Sequence, residues 1–417
     1  MTQRSRLILA IVLTYFTYGM LLNTVGTVIL RAVASLGVSK AGAGWFDGCK
    51  DVSIALVSLA TAGYLPRLGL GRALMVGLGL SGLACALMAG AGWLPAYATI
   101  CLHYAALGTS FALVKVCIYT LIGQLTGDAK AHASLTSLVE GGFMVGVLSV
   151  TALFSRFVGN GLVDASRTWL EAYWLLGGLC AACFALVASL PAGAIAPAAT
   201  EAAPSMRAML AMARLPLVLV FIFCAFTYVF IEQGIGTWLP TFNNEVLRLP
   251  QSMSVIAGSL YAGAIALGRL GGGALIARLG WYKVANGGLA GAAVAVVLIA
   301  LYSRHGAAAP VTDWAHAPLA AWLFLAVGMC LAPIYPTIVS VLLSASPRAR
   351  HAELMGLVVI FSALGGTTGS RATAWLFARL DGPTAFGAMV VPAGLLALGL
   401  ARLRAQERRA AGGQAAG

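Results

Sequence analysis

Twelve apolar runs divide this chain, and they fix its class before any motif is read. They lie at 7–30, 44–65, 72–93, 97–123, 134–157, 168–190, 213–240, 252–277, 282–302, 316–344, 354–378 and 383–402. A bilayer's hydrocarbon core is about 30 Å thick and takes about 20 helical residues to cross. Each run reaches that length. The chain is 60% hydrophobic and 9% charged, where soluble domains carry about 25% charge. Outer-membrane barrels are excluded because their strands alternate and leave no long apolar runs. The expected fold is an all-α membrane protein of 12 transmembrane helices in two six-helix halves.

The formal net charge is +13. In a soluble domain that would suggest nucleic acid, but there is no basic face and no aromatic–basic module here. The cations fall in short loops instead. With the N-terminus inside, cytoplasmic segments hold 15 Lys and Arg and outer segments hold 7. A basic excess marks the cytoplasmic side. Both termini are therefore expected inside a bacterial-type inner membrane, with the lipid bilayer as surroundings, no nucleic-acid partner, and a monomer as the working unit. The opening MTQRSR and its apolar run resemble a signal peptide. That run is too long and lacks an A-x-A end, so an uncleaved first span is expected.

An Ala/Pro-rich stretch interrupts the runs at the midpoint. The expected divisions are a six-helix bundle at 1–192, a cytoplasmic linker at 193–211, a second bundle at 212–404 and a disordered tail at 405–417. A repeat supports the halving. Gly63-x-Leu65 followed by Arg67-x-Gly69-x-x-Arg72 follows the second run, and Gly273-x-Leu275 followed by Arg278-x-Gly280-x-x-Lys283 follows the eighth, with Arg67 and Arg278 211 residues apart. Paired motifs at equivalent points are what two parallel repeats predict. Arg67, Arg72, Arg278 and Lys283, with Arg269 near the end of the eighth run, are expected to serve structure and gating. The paired loops resemble the loop signature of the major facilitator superfamily, although neither carries an acid between its Leu and Arg.

Other motifs point to packing. Gly77-x-Gly79-x-x-Gly82 spells a nucleotide fingerprint but has neither the preceding strand nor the following acid. Cys180 and Cys183 form a C-x-x-C inside an apolar run, where an accessible thiolate is not expected. No zinc, P-loop or nucleophile-elbow pattern occurs. No enzyme, metal or cofactor is expected.

The charges inside the runs carry the functional content. A charge at the bilayer centre costs at least about 2.5–3.5 kcal/mol, so such residues face a partner or a watery cavity. Asp47, Lys50 and Asp51 share one arc of a helix in the second run. They read either as an ion cluster at the outer end or as one wall of a substrate cavity. Lys115, in the lower half of the fourth run, reads as half of a structural pair or as a contact for an anionic group. Glu140 in the fifth run can pair with Lys115 or carry a proton, because burial raises a carboxyl pKa. In the seventh run Glu232 precedes Gly234, Gly236 and Pro240, which predict a broken helix. Broken helices line cavities, so Tyr228, Gln233 and Trp238 are candidate contacts and Glu232 a second proton carrier. Arg371, set among glycines in the eleventh run, is a further candidate.

Three stretches carry a closer resemblance: FCAFTYVFIEQGIGTWLPTF, GRLGGGALIARLGWYKV and LAPIYPTIVSVLL. They are similar to the fucose–galactose–glucose proton symporter group of that superfamily, and Tyr335 falls in the Y-P-T-I of the tenth run. The resemblance implies proton-coupled transport of a neutral sugar, with acids in the first and fourth spans. This chain has Asn23 in the first and Lys115 in the fourth. A charged cavity suits a charged ligand, because a buried charge without a partner is expensive. The expected function is therefore proton-coupled secondary transport, by alternating access, of a small polar, charged metabolite, carboxylate-bearing or siderophore-like. The alternatives are a proton-coupled sugar importer and a non-transporting membrane sensor.

Overall fold

The computed structural model describes residues 2–126, 129–162, 164–191, 209, 211–304, 311–344, 346 and 350–414, with backbone alone at 59, 61–67, 129, 130, 133, 351–353, 407 and 409–414. Among them there is no strand. The chain divides into two compact units, Met1–Ala203 and Pro204–Gly417. Eleven helical segments of the described residues are long and apolar enough to cross a membrane. The helix Phe46–Leu68, which carries Asp47, Lys50 and Asp51, makes the twelfth span. Of the stretch expected as a linker, 193–211, only Met209 and Ala211 are described. The last helix, Val390–Gln414, takes in residues 405–414 of the stretch expected as a tail.

In the N-terminal unit the first span is two helices, Gln3–Leu22 and Val25–Ser35. The second is Phe46–Leu68, the third Leu70–Ala89, the fourth Ala96–Leu125, the fifth Ala129–Phe154 and the sixth Ala172–Ala188. First packs on fifth, second on fourth, and third on sixth and fourth. In the C-terminal unit the seventh span is Pro216–Gly236 with Leu239–Glu245, and the eighth and ninth are Gln251–Leu279 and Trp281–Ser303. The tenth is Leu319–Leu331 with Ile334–Ser344, the eleventh His351–Arg379, and the twelfth Gly382–Gly387 with Val390–Gln414. Seventh packs on eleventh, eighth on tenth, and ninth on tenth and twelfth. Each unit thus repeats one packing plan.

Small residues make that plan possible. Between membrane helices there is little hydrophobic drive, so close backbone approach supplies the contact. A Cβ on Gly146 of the fifth span would strike the carbonyl oxygen of Phe16, and a Cβ on Gly369 of the eleventh would strike that of Phe230.

The breaks follow local chemistry. The seventh span runs through Gly234 and Gly236 and stops at Thr237 and Trp238, with Pro240 opening the next short helix. Proline suits a first helical turn, where its missing N–H leaves no bond unmade. The first span breaks without glycine or proline: Asn23 caps it and its Nδ2 donates to the Gly19 carbonyl at 2.9 Å. Helix C-termini leave carbonyls unsatisfied and favour cations. Arg4 donates to the Leu125 carbonyl at 3.0 Å, and Arg6 to Ser189 Oγ at 2.9 Å. The N-terminal cations therefore sit at the ends of the fourth and sixth spans.

Candidate functional site

The charges of the second span neutralise one another. Lys50 Nζ lies 3.0 Å from Asp47 Oδ1 and 3.5 Å from Asp51 Oδ1. Asp47 is 1% exposed and Lys50 6%. A cation held between two carboxylates in a buried setting has little capacity left for a ligand anion. The structure therefore gives Lys50 an internal role, and the carboxylate that acts electrostatically on Lys115 is Glu140 of the fifth span.

Lys115 stands differently. It lies ten residues from the end of the fourth span, about 15 Å along the helix axis, yet its side chain is exposed. A cation at that depth is tolerated where water reaches it. Phe111, Lys115 and Tyr119 recur every four residues and share one helix face. The ammonium sits 5.7 Å from the centroid of the Phe111 ring, a cation–π distance. Among the described residues no carboxylate comes within 4.0 Å of it.

Aromatic rings from two other spans close around this face. Tyr15 of the first span is 6.1 Å from Phe111, 6.3 Å from Tyr119 and 5.2 Å from Phe143, centroid to centroid. The Tyr119 hydroxyl donates to Glu140 Oε1. The group thus comprises one cation without an ion-pair partner, one carboxyl held by a phenol, and a surrounding wall of rings. It can bind an anionic group and stack a flat or apolar body beside it. Tyr15, Phe111, Tyr119 and Phe143 were absent from the sequence candidates; the four-residue spacing around Lys115 was the signal for two of them. Asn23 is exposed at the break of the first span.

In the C-terminal unit Glu232 and Arg269 form an ion pair, Nη2 to Oε1, at 3.2 Å. Arg269 lies ten residues before the end of the eighth span at Leu279, and its side chain engages the seventh span. Tyr228 stacks on Tyr335 at 5.5 Å, and the Tyr335 hydroxyl bonds Ser362 Oγ at 3.0 Å. Gln233 is half-buried and Arg371 exposed.

Trp238 departs from its expected role as a ligand contact. It is fully buried, donates its indole N–H to the Ser370 carbonyl at 3.0 Å, and stacks on Phe377 at 5.8 Å. It holds the seventh span to the eleventh. Asn243 is likewise fully buried. Arg72, Arg278 and Lys283 are exposed, and the side chain of Arg67 lies outside what the structure describes. Among the described residues no group of His, Cys, Asp and Glu could hold a metal ion.

The sequence profile of the Major Facilitator Superfamily matches residues 7–311. No curated protein matches the sequence. Among solved structures, a bacterial homolog of the human lysosomal transporter Spinster, inward-facing and unoccupied, has a TM-score of 0.75 at 15% identity, over 98% of this chain and 97% of that one. A D-xylose–proton symporter gives 0.73 at 14% identity, covering 95% and 97%. A nucleoside transporter variant gives 0.73 at 13%, covering 96% and 100%. At such identities the likeness is one of fold.

Proposed function

This chain belongs to the major facilitator superfamily, and we propose that it moves a small, polar, negatively charged metabolite across a bacterial-type inner membrane. The protein is a multi-pass membrane transporter and not an enzyme. The cargo class is a carboxylate-bearing compound, siderophore-like compounds included. Transport proceeds by alternating access and is coupled to protons. Both termini are cytoplasmic, in keeping with the arginines that cap the fourth and sixth spans.

The observation behind the cargo class is Lys115. Lys50 is held by two aspartates and Arg269 by Glu232. Lys115 faces rings instead, within electrostatic reach of Glu140. A neutral ligand would leave that cation at depth without a contacting anion, which is costly. An anion compensates it, and the rings of Tyr15, Phe111 and Phe143 accommodate the rest of the molecule. Glu140, exchanging its bond with the Tyr119 phenol, is the proton carrier in this reading.

A second reading is a proton-coupled sugar importer. The aromatic wall favours it, since sugar rings stack on such faces, and so do the resemblance of the seventh, eighth and tenth spans and the symporter among the similar structures. Comparing metabolites inside cells and in spent medium, with and without the gene, identifies the cargo and its direction. Uptake into liposomes by wild type and Lys115→Ala then separates the readings. An anionic cargo is expected to lose most of its transport in the variant. An anionic cargo carried at the wild-type rate by Lys115→Ala would end the role given to Lys115, and a neutral sugar as cargo would favour the importer.

A further inference from the structure

The Glu232–Arg269 pair leaves much of its bonding capacity unused. A guanidinium offers five N–H donors in a fork that fits a carboxylate with two parallel bonds. Arg269 spends one nitrogen on Glu232, through one oxygen, and no second carboxylate pairs with it among the described residues. Its side chain is 42% exposed, so the open edge of the fork is accessible.

Two hydroxyls beside the pair are also uncommitted. Tyr228 and Tyr261 are 0% and 4% exposed, and neither hydroxyl has a hydrogen-bond partner among the described residues. Leaving a buried hydroxyl unmatched is costly, so its retention calls for a partner. Both lie within electrostatic reach of Glu232 and Arg269, and the Tyr228 hydroxyl sits close enough to both to bond either after a small adjustment. Both are also held in place: Tyr228 by its stack on Tyr335, and Tyr261 between Gly236 and Gly328, where an added Cβ would meet its ring at 3.2 and 3.1 Å.

We propose that Arg269, Tyr228 and Tyr261 form a carboxylate subsite whose resident occupant is Glu232, and that a carboxylate of the cargo displaces Glu232 from Arg269. The incoming group takes the guanidinium fork with two oxygens, where Glu232 uses one, and accepts from the tyrosine hydroxyls. The inference rests on the reading of the cargo as an anion and deepens it: a carboxylate of that cargo is received within the C-terminal unit, on the guanidinium of Arg269.

The test is calorimetric titration of the purified full chain in detergent with succinate. Glu232→Gln removes the resident competitor while keeping the side chain's shape, and is expected to bind succinate about tenfold more tightly than wild type. Adding Arg269→Gln abolishes that gain. Tyr261→Phe in the Glu232→Gln background weakens binding about threefold without lowering the melting temperature, since the hydroxyl bonds nothing inside the protein. No gain in Glu232→Gln, a gain that survives Arg269→Gln, or no succinate binding by any variant would each overturn the subsite. If Glu232→Gln does not fold, Arg269→Lys decides in the wild-type background. Lysine keeps the charge but not the fork, so about tenfold weaker binding supports the subsite and unchanged binding overturns it. Lys115→Gln is run in both backgrounds. If it leaves succinate affinity unchanged while the Glu232→Gln gain holds, the role of Lys115 falls and the Arg269 subsite stands; loss of binding in Lys115→Gln with no Glu232→Gln gain gives the reverse.

Discussion

Gly69 and Gly280 hold the same backbone conformation at equivalent points of the two units, with φ +78° and ψ 144° at one and φ +82° and ψ 150° at the other. Each turns the chain from one span into the next. At neither position would an added Cβ meet any atom within 4 Å. The demand for glycine is therefore in the backbone torsion and not in space. L-residues held in this region carry about 1–3 kcal/mol of strain. Gly69→Ala and Gly280→Ala are each expected to lower stability by about that amount, and by similar amounts, as read from thermal unfolding of the purified protein. A neutral result at either position would remove the torsional explanation of the repeat.

The cluster in the second span predicts an unequal response to its members. Lys50→Ala takes the cation from two carboxylates at once, one of them fully buried. Removing one partner of a buried pair costs about 3–5 kcal/mol, so this variant is expected to be among the least stable single substitutions in the N-terminal unit. Asp51→Asn keeps the 3.0 Å bond to Asp47 and is expected to cost much less. Melting temperatures of the two variants decide the point. Equal losses would show that Asp51 and not Asp47 sets the position of Lys50.

How much of this was readable in one dimension depends on what holds each feature in place. Long apolar runs announce spans because length and hydropathy are local properties, and the repeated glycine announces its turn because its torsion is local too. The break at Asn23 lacked such a signal, since an amide bonded to its own helix replaced the usual glycine or proline. Pairings between spans were the least legible. Glu232 and Arg269 are 37 residues apart, and nothing in either stretch names the other. Glu140 reads as a partner for Lys115 or a proton carrier, and its hydrogen bond from Tyr119 depends on how the fourth and fifth spans rotate against each other. Trp238 reads as a binding residue beside a broken helix. Its burial against Phe377 and Ser370 is a property of the eleventh span.

The contact between Tyr119 and Glu140 yields a test of coupling. If Glu140 carries the proton, Glu140→Gln fixes a neutral side chain that still accepts from Tyr119. Liposomes containing this variant are expected to exchange labelled for unlabelled cargo at close to the wild-type rate, because exchange needs no net proton movement. They are expected to fail to concentrate cargo when a proton gradient is imposed. Retained accumulation would pass the proton role to Glu232, whose own neutral variant would then be assayed in the same way.

The loop between the fifth and sixth spans predicts a response to acid. Asp164 accepts from the Gly159 N–H at 2.9 Å, the Ser166 N–H at 2.8 Å and the Ser166 hydroxyl at 3.0 Å, and lies 3.2 Å from the fully buried Arg31. Partial burial works against its ionisation, but the N–H donors and the guanidinium outweigh it and hold the carboxyl below its ordinary value. A folded-state value below the unfolded one means the carboxylate stabilises the fold above the ordinary range, near pH 4. That contribution is lost as pH falls through the lower folded value. Arg31 also donates to the carbonyls of Asp164 and Ser166 at 2.8 and 2.7 Å, so the charge at Asp164 fastens the loop to the first span. Asp164→Asn is expected to melt below wild type at pH 7. As pH is lowered from 5 to 3 the wild-type melting temperature is expected to fall more steeply, and the two curves should converge. Parallel curves over that range would mean that the backbone bonds alone hold the loop and that the carboxylate's charge contributes little.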